Sequence, residues 1–368
     1  MLTSRRMLIL VLAGVLILAG ALWVASRHGE EETVLSQPLL ANLKSALNGV
    51  TEVRLTKGDA THTVLKKGAS GWSVAERDYP ADTSKVRKLL LDLADLKGIE
   101  EKTRDPASYA QIGVEAVNGP TAGGTQIDIV APAGSWSIII GKPSATSASY
   151  VRLTAAPASW LAAPQIAVDP DPRHWLDHDL IDVPESRVQE VSVKPATGPA
   201  YVISRKTAKD ADFTVTGLPK GRELSSAGAA DSIASALAAL TLDDVRKTTG
   251  LGTEPVQAIL QTFDGLTLTV GGLRDGERRL ITLAAKSSDK ATADEAAKIA
   301  ARFTGWEIEI PGYKYDSLFR PLEELLKKPP EPARKAAAKA SPAKPAASKL
   351  PFAPPPATPA AAPSSPKP

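Results

Sequence analysis

Val50-Thr-Glu-Val53 opens a run of short segments in which apolar and polar residues alternate, and this run decides the fold. The run continues through residues 61–66 and 72–74. Alternation with a period of two places successive side chains on opposite faces of a strand, so that one face of a sheet can be buried. The pattern therefore predicts three short strands with one face toward a core.

The same pattern returns about 140 residues later, where Val188-Gln-Glu-Val191 opens a second run that continues through residues 201–204 and 213–215. Each run is followed by a segment whose apolar residues recur at the spacing of an amphipathic helix. These residues are Val86, Leu89, Leu90, Leu93 and Leu96 in the first copy, and Ile233, Leu237 and Leu240 in the second.

Three more strands are predicted in each copy, at residues 126–130, 136–140 and 150–153, and at residues 256–262, 266–270 and 280–283. In the second copy, Thr292 and Glu295 fit a capping box that opens a helix through Phe303. The first copy has only the shorter region 158–163 at this place. Each copy closes on a segment of aromatic residues and leucine, at residues 175–180 and 313–318.

The predicted fold class is α+β. The connections are mostly too short for parallel crossovers, so the sheets are expected to be antiparallel. We expect two duplicated domains, each an antiparallel sheet plus helix, at residues 48–185 and 186–327.

An uncharged apolar stretch at residues 7–25 precedes this body. A helix of that length spans about 28 Å, close to the roughly 30 Å hydrocarbon core of a bilayer. Arg5 and Arg6 predict a cytoplasmic N-terminus at residues 1–6 and a periplasmic body, and Trp23 falls at the far interface. A cleaved signal peptide is the alternative, although its apolar region is usually shorter. A linker is expected at residues 26–47.

The composition restricts the class of partner. The net charge is +3, but residues 328–368 carry seven Lys or Arg against one Glu, so the body is mildly acidic. A mildly acidic body argues against nucleic acid as a partner. The chain has no cysteine, which excludes disulfides and thiol chemistry.

Residues 328–368 consist almost entirely of Pro, Ala, Lys and Ser. Such a composition cannot form a core, so a disordered region is expected. Its positive charges could contact anionic envelope polymers or lipid headgroups, with an affinity that falls as salt rises.

The most reactive side chains lie in the stretch 169–179, which contains His174, Asp177 and His178. In a helix the two histidines would share a face, and the pattern resembles the inverted zinc-protease motif with Asp in place of Glu. Two observations argue against a metal site. Two Asp-Pro pairs disfavour helix at the entry, and the corresponding stretch of the second copy, around 312–316, has no histidine.

No other pattern predicts a catalytic, cofactor or metal site. The nucleophile pattern Gly-x-Ser-x-Gly and the phosphate-loop sequence Gly-Lys-Ser/Thr are both missing from the sequence. His28 flanks the apolar stretch, and His62 lies in an alternating strand where an exposed position explains it.

Several short segments together resemble a known family. They are Gly71-Trp-Ser-Val74, Tyr79-Pro-Ala-Asp82, the helical residues up to Leu96, Asp105-Pro106, residues 109–115, and residues 175–183 leading into Val188. In this order they resemble the bacterial membrane-anchored proteins known as domain of unknown function 4340, over roughly residues 48–320. The resemblance implies an accessory protein of an ABC transporter of the gliding-motility type, with no assigned catalytic residues.

We therefore expect a non-enzymatic, single-pass protein of the bacterial inner membrane. Its periplasmic body would be an accessory or scaffold component of an ABC-type transporter complex, with the membrane and the transporter subunits as partners. The alternative is a periplasmic metal-dependent hydrolase that uses His174, Asp177 and His178.

Overall fold

The structure, a computed structural model, describes residues 38–250 and 256–327. All of these residues belong to one compact unit. The predicted transmembrane helix at 7–25, with Arg5, Arg6 and Trp23, and the predicted tail at 328–368 lie outside the described residues. Within the described part of the chain, no helix is long and apolar enough to cross a membrane.

The first half of the described chain forms a nine-stranded sheet whose strands alternate between buried and exposed positions, as the sequence pattern predicts. The strands are β1 (Glu52–Lys57), β2 (His62–Gly68), β3 (Gly71–Val74), β4 (Tyr79–Pro80), β5 (Lys97–Thr103), β6 (Thr125–Ala131), β7 (Gly134–Pro143), β8 (Ser149–Leu153) and β9 (Ser159–Ala163). Their spatial order is β4-β3-β2-β1-β6-β7-β8-β9-β5, and all neighbours are antiparallel.

The second half forms an eight-stranded antiparallel sheet. Its strands are β11 (Val188–Lys194), β12 (Tyr201–Ser204), β13 (Thr214–Thr216), β15 (Asp244–Lys247), β16 (Val256–Thr262), β17 (Leu266–Asp275), β18 (Arg278–Ser287) and β19 (Trp306–Glu309). Their spatial order is β13-β12-β11-β16-β17-β18-β19-β15. Two short strands, β10 (Asp179–Ile181) and β14 (Leu240–Thr241), pair separately from both sheets.

Eight strands in each sheet follow the same order. The series β3-β2-β1-β6-β7-β8-β9-β5 corresponds strand by strand to β13-β12-β11-β16-β17-β18-β19-β15, and β4 is additional. The described body is therefore a sheet-rich α+β structure with few helices.

The α-helices are short compared with the sheets. They are α1 (Leu43–Ala46), α2 (Thr83–Ala94), α3 (Tyr109–Ile112), α4 (Asp231–Ala234), α5 (Ala293–Phe303), α6 (Gly312–Leu318) and α7 (Leu322–Leu325). Single 3-10 turns lie at Leu47–Gly49, Pro106–Ser108, Pro172–Trp175, Glu185–Arg187 and Lys290–Thr292. The last ten residues of the expected linker, 38–47, are part of the folded body, because α1 buries Leu43 completely.

Helix α2 confirms the amphipathic pattern of the first copy. The side chain of Asp82 accepts hydrogen bonds from the backbone N–H groups of Ser84 and Lys85, which satisfies donors that a helix N-terminus leaves free. Leu89 and Leu93 are buried, as their spacing predicts.

The predicted second helix through Leu240 is wrong in its extent. Helix α4 ends at Ala234, and Leu240 belongs to β14. The residues between them form turns, and Ala239 takes the left-handed conformation with φ of 43°. Ile233, Leu237 and Leu240 are nevertheless all buried, so the apolar pattern marked the core correctly and only the backbone conformation incorrectly.

Two further expectations need correction. Region 158–163 is not a shortened helix, because Ser159–Ala163 is strand β9 between β8 and β5. Thr292 and Glu295 do not form a capping box. Thr292 precedes α5 without a side-chain cap, since its hydroxyl bonds to Ser287 and to the carbonyl of Asp264, and Glu295 pairs with Arg187 instead.

One hydrophobic core extends through both halves, from Leu40 to Leu326. A second, smaller cluster lies where the segment around α3 packs over Ile139. The backbones approach closely there: a Cβ on Gly124 would lie 2.2 Å from the carbonyl oxygen of Gly113, and one on Gly141 would lie 2.3 Å from that of Ile112. These glycines are therefore required for packing as well as for turns.

Candidate functional site

The stretch 169–183 connects the two sheets, and we call this region the junction. Its first part lies along the edge of the first sheet, where Leu176 bridges Ala81 and the backbone N–H of Asp177 donates to the carbonyl of Pro80 at 2.9 Å. Its second part is β10, which pairs with β14 of the second half. The stretch 169–179, which the metal hypothesis concerns, therefore belongs to a connector that is extended for most of its length.

The Asp-Pro pairs at the start of the junction form a capped turn. Asp171 accepts a hydrogen bond from the backbone N–H of Arg173 at 2.9 Å and caps the 3-10 turn Pro172–Trp175. The indole N–H of Trp175 donates to the carbonyl of Asp169 at 2.7 Å. Hydrogen bonds from the Arg173 guanidinium lower the pKa of Asp171. These contacts replace the α-helix that the two-histidine interpretation requires.

The three residues of the metal interpretation have separate partners. His174 lies on the turn, half exposed, with Nδ1 2.8 Å from a carboxylate oxygen of Asp169. Asp177 pairs with the guanidinium of Arg302 at 3.0 Å. Nδ1 of His178 lies 2.7 Å from the carbonyl oxygen of Leu242, and because that oxygen can only accept, this nitrogen donates.

No three His, Asp, Glu or Cys side chains converge as a metal-binding group within residues 38–250 and 256–327. The histidines are four residues apart in sequence, but the chain turns into the extended conformation between them. The structure therefore does not bring His174, Asp177 and His178 together.

Arg302, at the end of α5, is a charged contact from the second half to the junction. Besides Asp177, its guanidinium donates to the backbone carbonyls of Asp179 and Leu180. One side chain thus binds both a carboxylate and the backbone of β10, which fixes the connector against the second sheet.

A second set of charges joins the sheets directly. Arg77, in the turn before β4, makes two hydrogen bonds to the carboxylate of Asp244 on β15, at 2.6 and 3.0 Å. These bonds raise the pKa of Arg77. Beside them, Lys247 lies 2.9 Å from Asp78. Because paired charge-assisted bonds fix an orientation as well as a distance, they hold the two sheet edges in register.

An aromatic contact lies beneath these charges. The rings of Tyr79 and Trp306 meet edge to face, with centroids 5.3 Å apart, and the ammonium of Lys247 lies 3.6 Å from the centre of the Trp306 ring. Burial raises the pKa of Tyr79 to about 12, so its hydroxyl stays protonated. Among the described residues, that hydroxyl has no hydrogen-bond partner.

A cleft of about 410 Å³ opens where β10 and β14 meet, and Asp179, Asp182 and Arg302 contribute its charges. Asp182 accepts a hydrogen bond from the backbone N–H of Ala239 at 2.8 Å, and so holds the left-handed residue in place. The nearby Lys314 donates to the carbonyl of Ala238 at 2.6 Å, and burial lowers its pKa. Most polar groups of this cleft are thus engaged in holding the backbone.

The other sequence candidates have local structural roles. His62 lies at the start of β2, exposed, with Nδ1 3.0 Å from the carbonyl oxygen of Ala60. Its other ring nitrogen is 3.8 Å from Glu76, whose carboxylate also accepts from the backbone N–H of Val64. His28 lies outside the described residues.

Sequence reasoning missed Arg77, Asp244 and Arg302, which form charged links between the two halves. Arg77 and Asp244 are 167 residues apart in the chain, and Asp177 and Arg302 are 125 residues apart. Each stands among other charged residues with ordinary surface spacing, so the sequence of one chain carries no local signal for these pairs.

The fold and the junction define a class of protein: a body of two antiparallel sheets that share one strand order and are connected by a junction of charged and aromatic residues.

The family model described as Domain of unknown function (DUF4340) matches residues 72–262, more than half of the chain, and the chain belongs to that family. The match runs from β3 to β16 and contains the junction. No curated protein and no solved structure shows significant similarity to the chain.

Proposed function

We propose that this protein is a non-enzymatic, single-pass protein of the bacterial inner membrane whose periplasmic body is an accessory or scaffold component of an ABC-type transporter complex. The apolar stretch 7–25 behind Arg5 and Arg6 supports the anchor and its orientation. The resemblance to membrane-anchored relatives supports the transporter association.

The observation that carries the scaffold role is the use of polar groups at the junction. His178 bonds to the carbonyl of Leu242, and Asp177 pairs with Arg302. These contacts join the two halves across 64 and 125 residues of chain. Groups engaged in this way position backbone and do not remain available to a substrate. They suit a protein whose body must present surfaces in a fixed orientation.

The shared strand order supports a duplicated body, with copies at 48–185 and 186–327. A duplicated scaffold offers two similar surfaces that can diverge, since the fold of each copy constrains only its buried face. One copy can then be specialised for a partner while the other keeps a different role.

Co-purification tests the transporter association. The full chain, tagged at its C-terminus, is purified from detergent-solubilised membranes. The control is a fusion of residues 1–37 to an unrelated soluble domain that takes the place of the body. We expect the ATPase and permease subunits of an ABC-type transporter to be enriched with the full chain only. Equal recovery with the control, or recovery of no such subunit, contradicts the proposal.

Reporter fusions test the orientation. A fusion after Leu326 should be active with a periplasmic reporter and inactive with a cytoplasmic one, because Arg5 and Arg6 hold the N-terminus inside. The reverse result would place the body in the cytoplasm and remove the basis for an envelope role.

Metal analysis separates the scaffold from the hydrolase alternative. We expect the purified chain to carry no stoichiometric metal ion, and the His174→Ala/His178→Ala double variant to behave in the same way. His62→Ala is the matched control. A stoichiometric ion that is lost in the double variant but kept in the control would favour the hydrolase.

A further inference from the structure

The outer face of the second sheet carries an uncharged row of side chains. Burial alternates along its strands, so the residues between the buried ones point away from the core. The strand register places six of them side by side across β13, β12, β11, β16, β17 and β18: Thr216, Val202, Ser192, Ile259, Thr269 and Ala284.

The first sheet provides a control within the same molecule. The strand correspondence matches Ser192 with Arg54 and Ile259 with Asp128, since Arg54 and Asp128 are paired neighbours on β1 and β6. Arg54 pairs with Glu52, and Asp128 accepts from Ser137 and Gln126. The first sheet thus has two charged residues at the positions where the second sheet has Ser192 and Ile259. Depletion of charge at the centre of a surface patch is typical of protein interfaces.

Charges stand beside the uncharged row in the next row of the second sheet. Glu190 on β11 and Lys286 on β18 both face outward, and Gln261 and Thr267 lie between them in the same row. They are three strand spacings apart, about 14 Å, which is too far for them to pair with each other. Among the described residues, neither forms a salt bridge.

We propose that this face packs against the same face of a second copy of the chain, about a two-fold axis that runs parallel to the strands between β16 and β17. That axis exchanges β11 with β18, so Glu190 of each copy meets Lys286 of the other, while Ile259 meets Thr269. Glu190 and Lys286 are therefore complementary across the axis, as a two-fold interface requires. Lys194, the outward charge on the other side of the row, lies opposite the uncharged Thr282.

The dimensions predict a weak dimer. Of the six strands in the row, only β11, β16, β17 and β18 face the same four strands of the other copy about this axis. Four strands by about three outward residues cover roughly 19 by 20 Å, or about 380 Å² in each copy, well below the roughly 800 Å² of a standard interface. We expect a dissociation constant in the micromolar range or weaker, and sheets packed about 10 Å apart.

Cross-linking in membranes tests the face. The chain has no cysteine, so Ile259→Cys introduces a single thiol near the proposed axis, and Asp128→Cys introduces one at the corresponding position of the first sheet. With a thiol cross-linker of about 10 Å, we expect a band of twice the chain mass from Ile259→Cys and none from Asp128→Cys. Equal dimer bands from both variants, no dimer from Ile259→Cys, or a product with a different protein would each overturn the proposal.

Charge exchange tests the symmetry. In full-length chain purified in detergent, Glu190→Lys and Lys286→Glu should each weaken the dimer at least about fivefold by sedimentation, because each places like charges together twice. The double variant should restore it. An unchanged unfolding midpoint shows that both variants fold, and failure of the double variant to recover would refute the axis.

Discussion

The two sheets share one strand order, but the side-chain bonds differ at the last strand pair, which is β9–β5 in the first sheet and β19–β15 in the second. In the first sheet, the buried hydroxyl of Ser159 on β9 donates to the carbonyl of Thr103 on β5 and accepts from its N–H. In the second, the buried carboxylate of Glu307 on β19 accepts from the guanidinium of Arg246 on β15. It also accepts from the N–H groups of Thr249 and Gly250. The last strand pair is thus joined by neutral side-chain bonds in the first sheet and by a buried charge in the second.

The segments that follow these strand pairs also differ. Residues 175–180 leave the 3-10 turn as extended chain and cross to the second half, whereas residues 313–318 form helix α6 and remain on their own sheet. Each segment buries part of its apolar side chains: Trp175, Leu176 and Leu180 in the first, and Tyr315 and Leu318 in the second. The common strand order therefore constrains the core, while the last strands and the segments that follow them are free to take on connecting roles.

Core truncation is expected to have the largest effect, and the same effect in both halves. Leu93→Ala in the first half and Leu237→Ala in the second should each lower the free energy of unfolding by about 2–5 kcal/mol, because both side chains are fully buried. Since one core joins the halves, urea unfolding should remain a single transition. Two separate transitions, each sensitive to one variant, would show that the halves are independent.

The direct link between the sheets is expected to come next. Asp244→Asn should cost about 1–3 kcal/mol, because Arg77 would lose a charged partner at a largely buried site. The control is Asp316→Asn, which breaks the exposed pair with Arg274 and should cost less than about 1 kcal/mol. Equal losses in denaturant unfolding would mean that the Arg77–Asp244 pair is no stronger than a surface pair.

The buried carboxylate of Glu307 should make the stability of the second sheet more sensitive to acid than that of the first. Burial alone would raise the pKa of Glu307, but its bonds to Arg246 and Thr249 outweigh it, and the pKa lies below its ordinary value of 4.5. A lowered folded pKa adds stability above about pH 4.5 that is lost as the pH falls below it.

Glu307→Gln should therefore cost about 1–2 kcal/mol at pH 7, and its difference from the natural chain should shrink as the pH falls below 4.5. Ser159→Ala, the counterpart in the first sheet, should show a loss that does not depend on pH. Hydrogen exchange at pH 4 and pH 7 locates the change, and equal acid sensitivity of β5 and β15 would contradict this account.

The smallest effect concerns the helix caps. Asp82→Ala should cost about 1 kcal/mol, because it removes the side-chain cap of α2. Asp82→Asn should restore most of this loss, since Asn also caps. A loss by Asp82→Ala below about 0.3 kcal/mol in thermal unfolding would mean that packing alone holds α2.

Periodicity predicted the parts of the fold that bury one face. The alternating runs mark β1, β2 and β3, and the leucine spacing marks α2. Strand β5 was missed because Gly98 is its only buried residue among Lys, Glu and Thr, so alternation has nothing to detect. The helix expected through Leu240 was misjudged because alanine-rich turns and helices share their composition, and tertiary contacts at Ala239 decide between them.

The junction could not be predicted from one sequence for a different reason. The stretch 169–179 concentrates acids and histidines, which suggests a site, but each finds its partner through long-range contacts that have no local pattern. A cluster in sequence is a cluster in space only if the backbone turns the side chains together, and here the Asp-Pro pairs and β10 keep the chain extended.

A double-mutant cycle on Asp177 and Arg302 tests most directly whether this stretch is a structural connection between the two sheets. Asp177→Asn, Arg302→Gln and the double variant are unfolded with urea in detergent, with and without a chelator, by tryptophan fluorescence. We expect a coupling energy of about 0.5–1 kcal/mol that the chelator leaves unchanged. No coupling, together with a loss of stability on chelation in the natural chain only, would contradict it and point to a metal site.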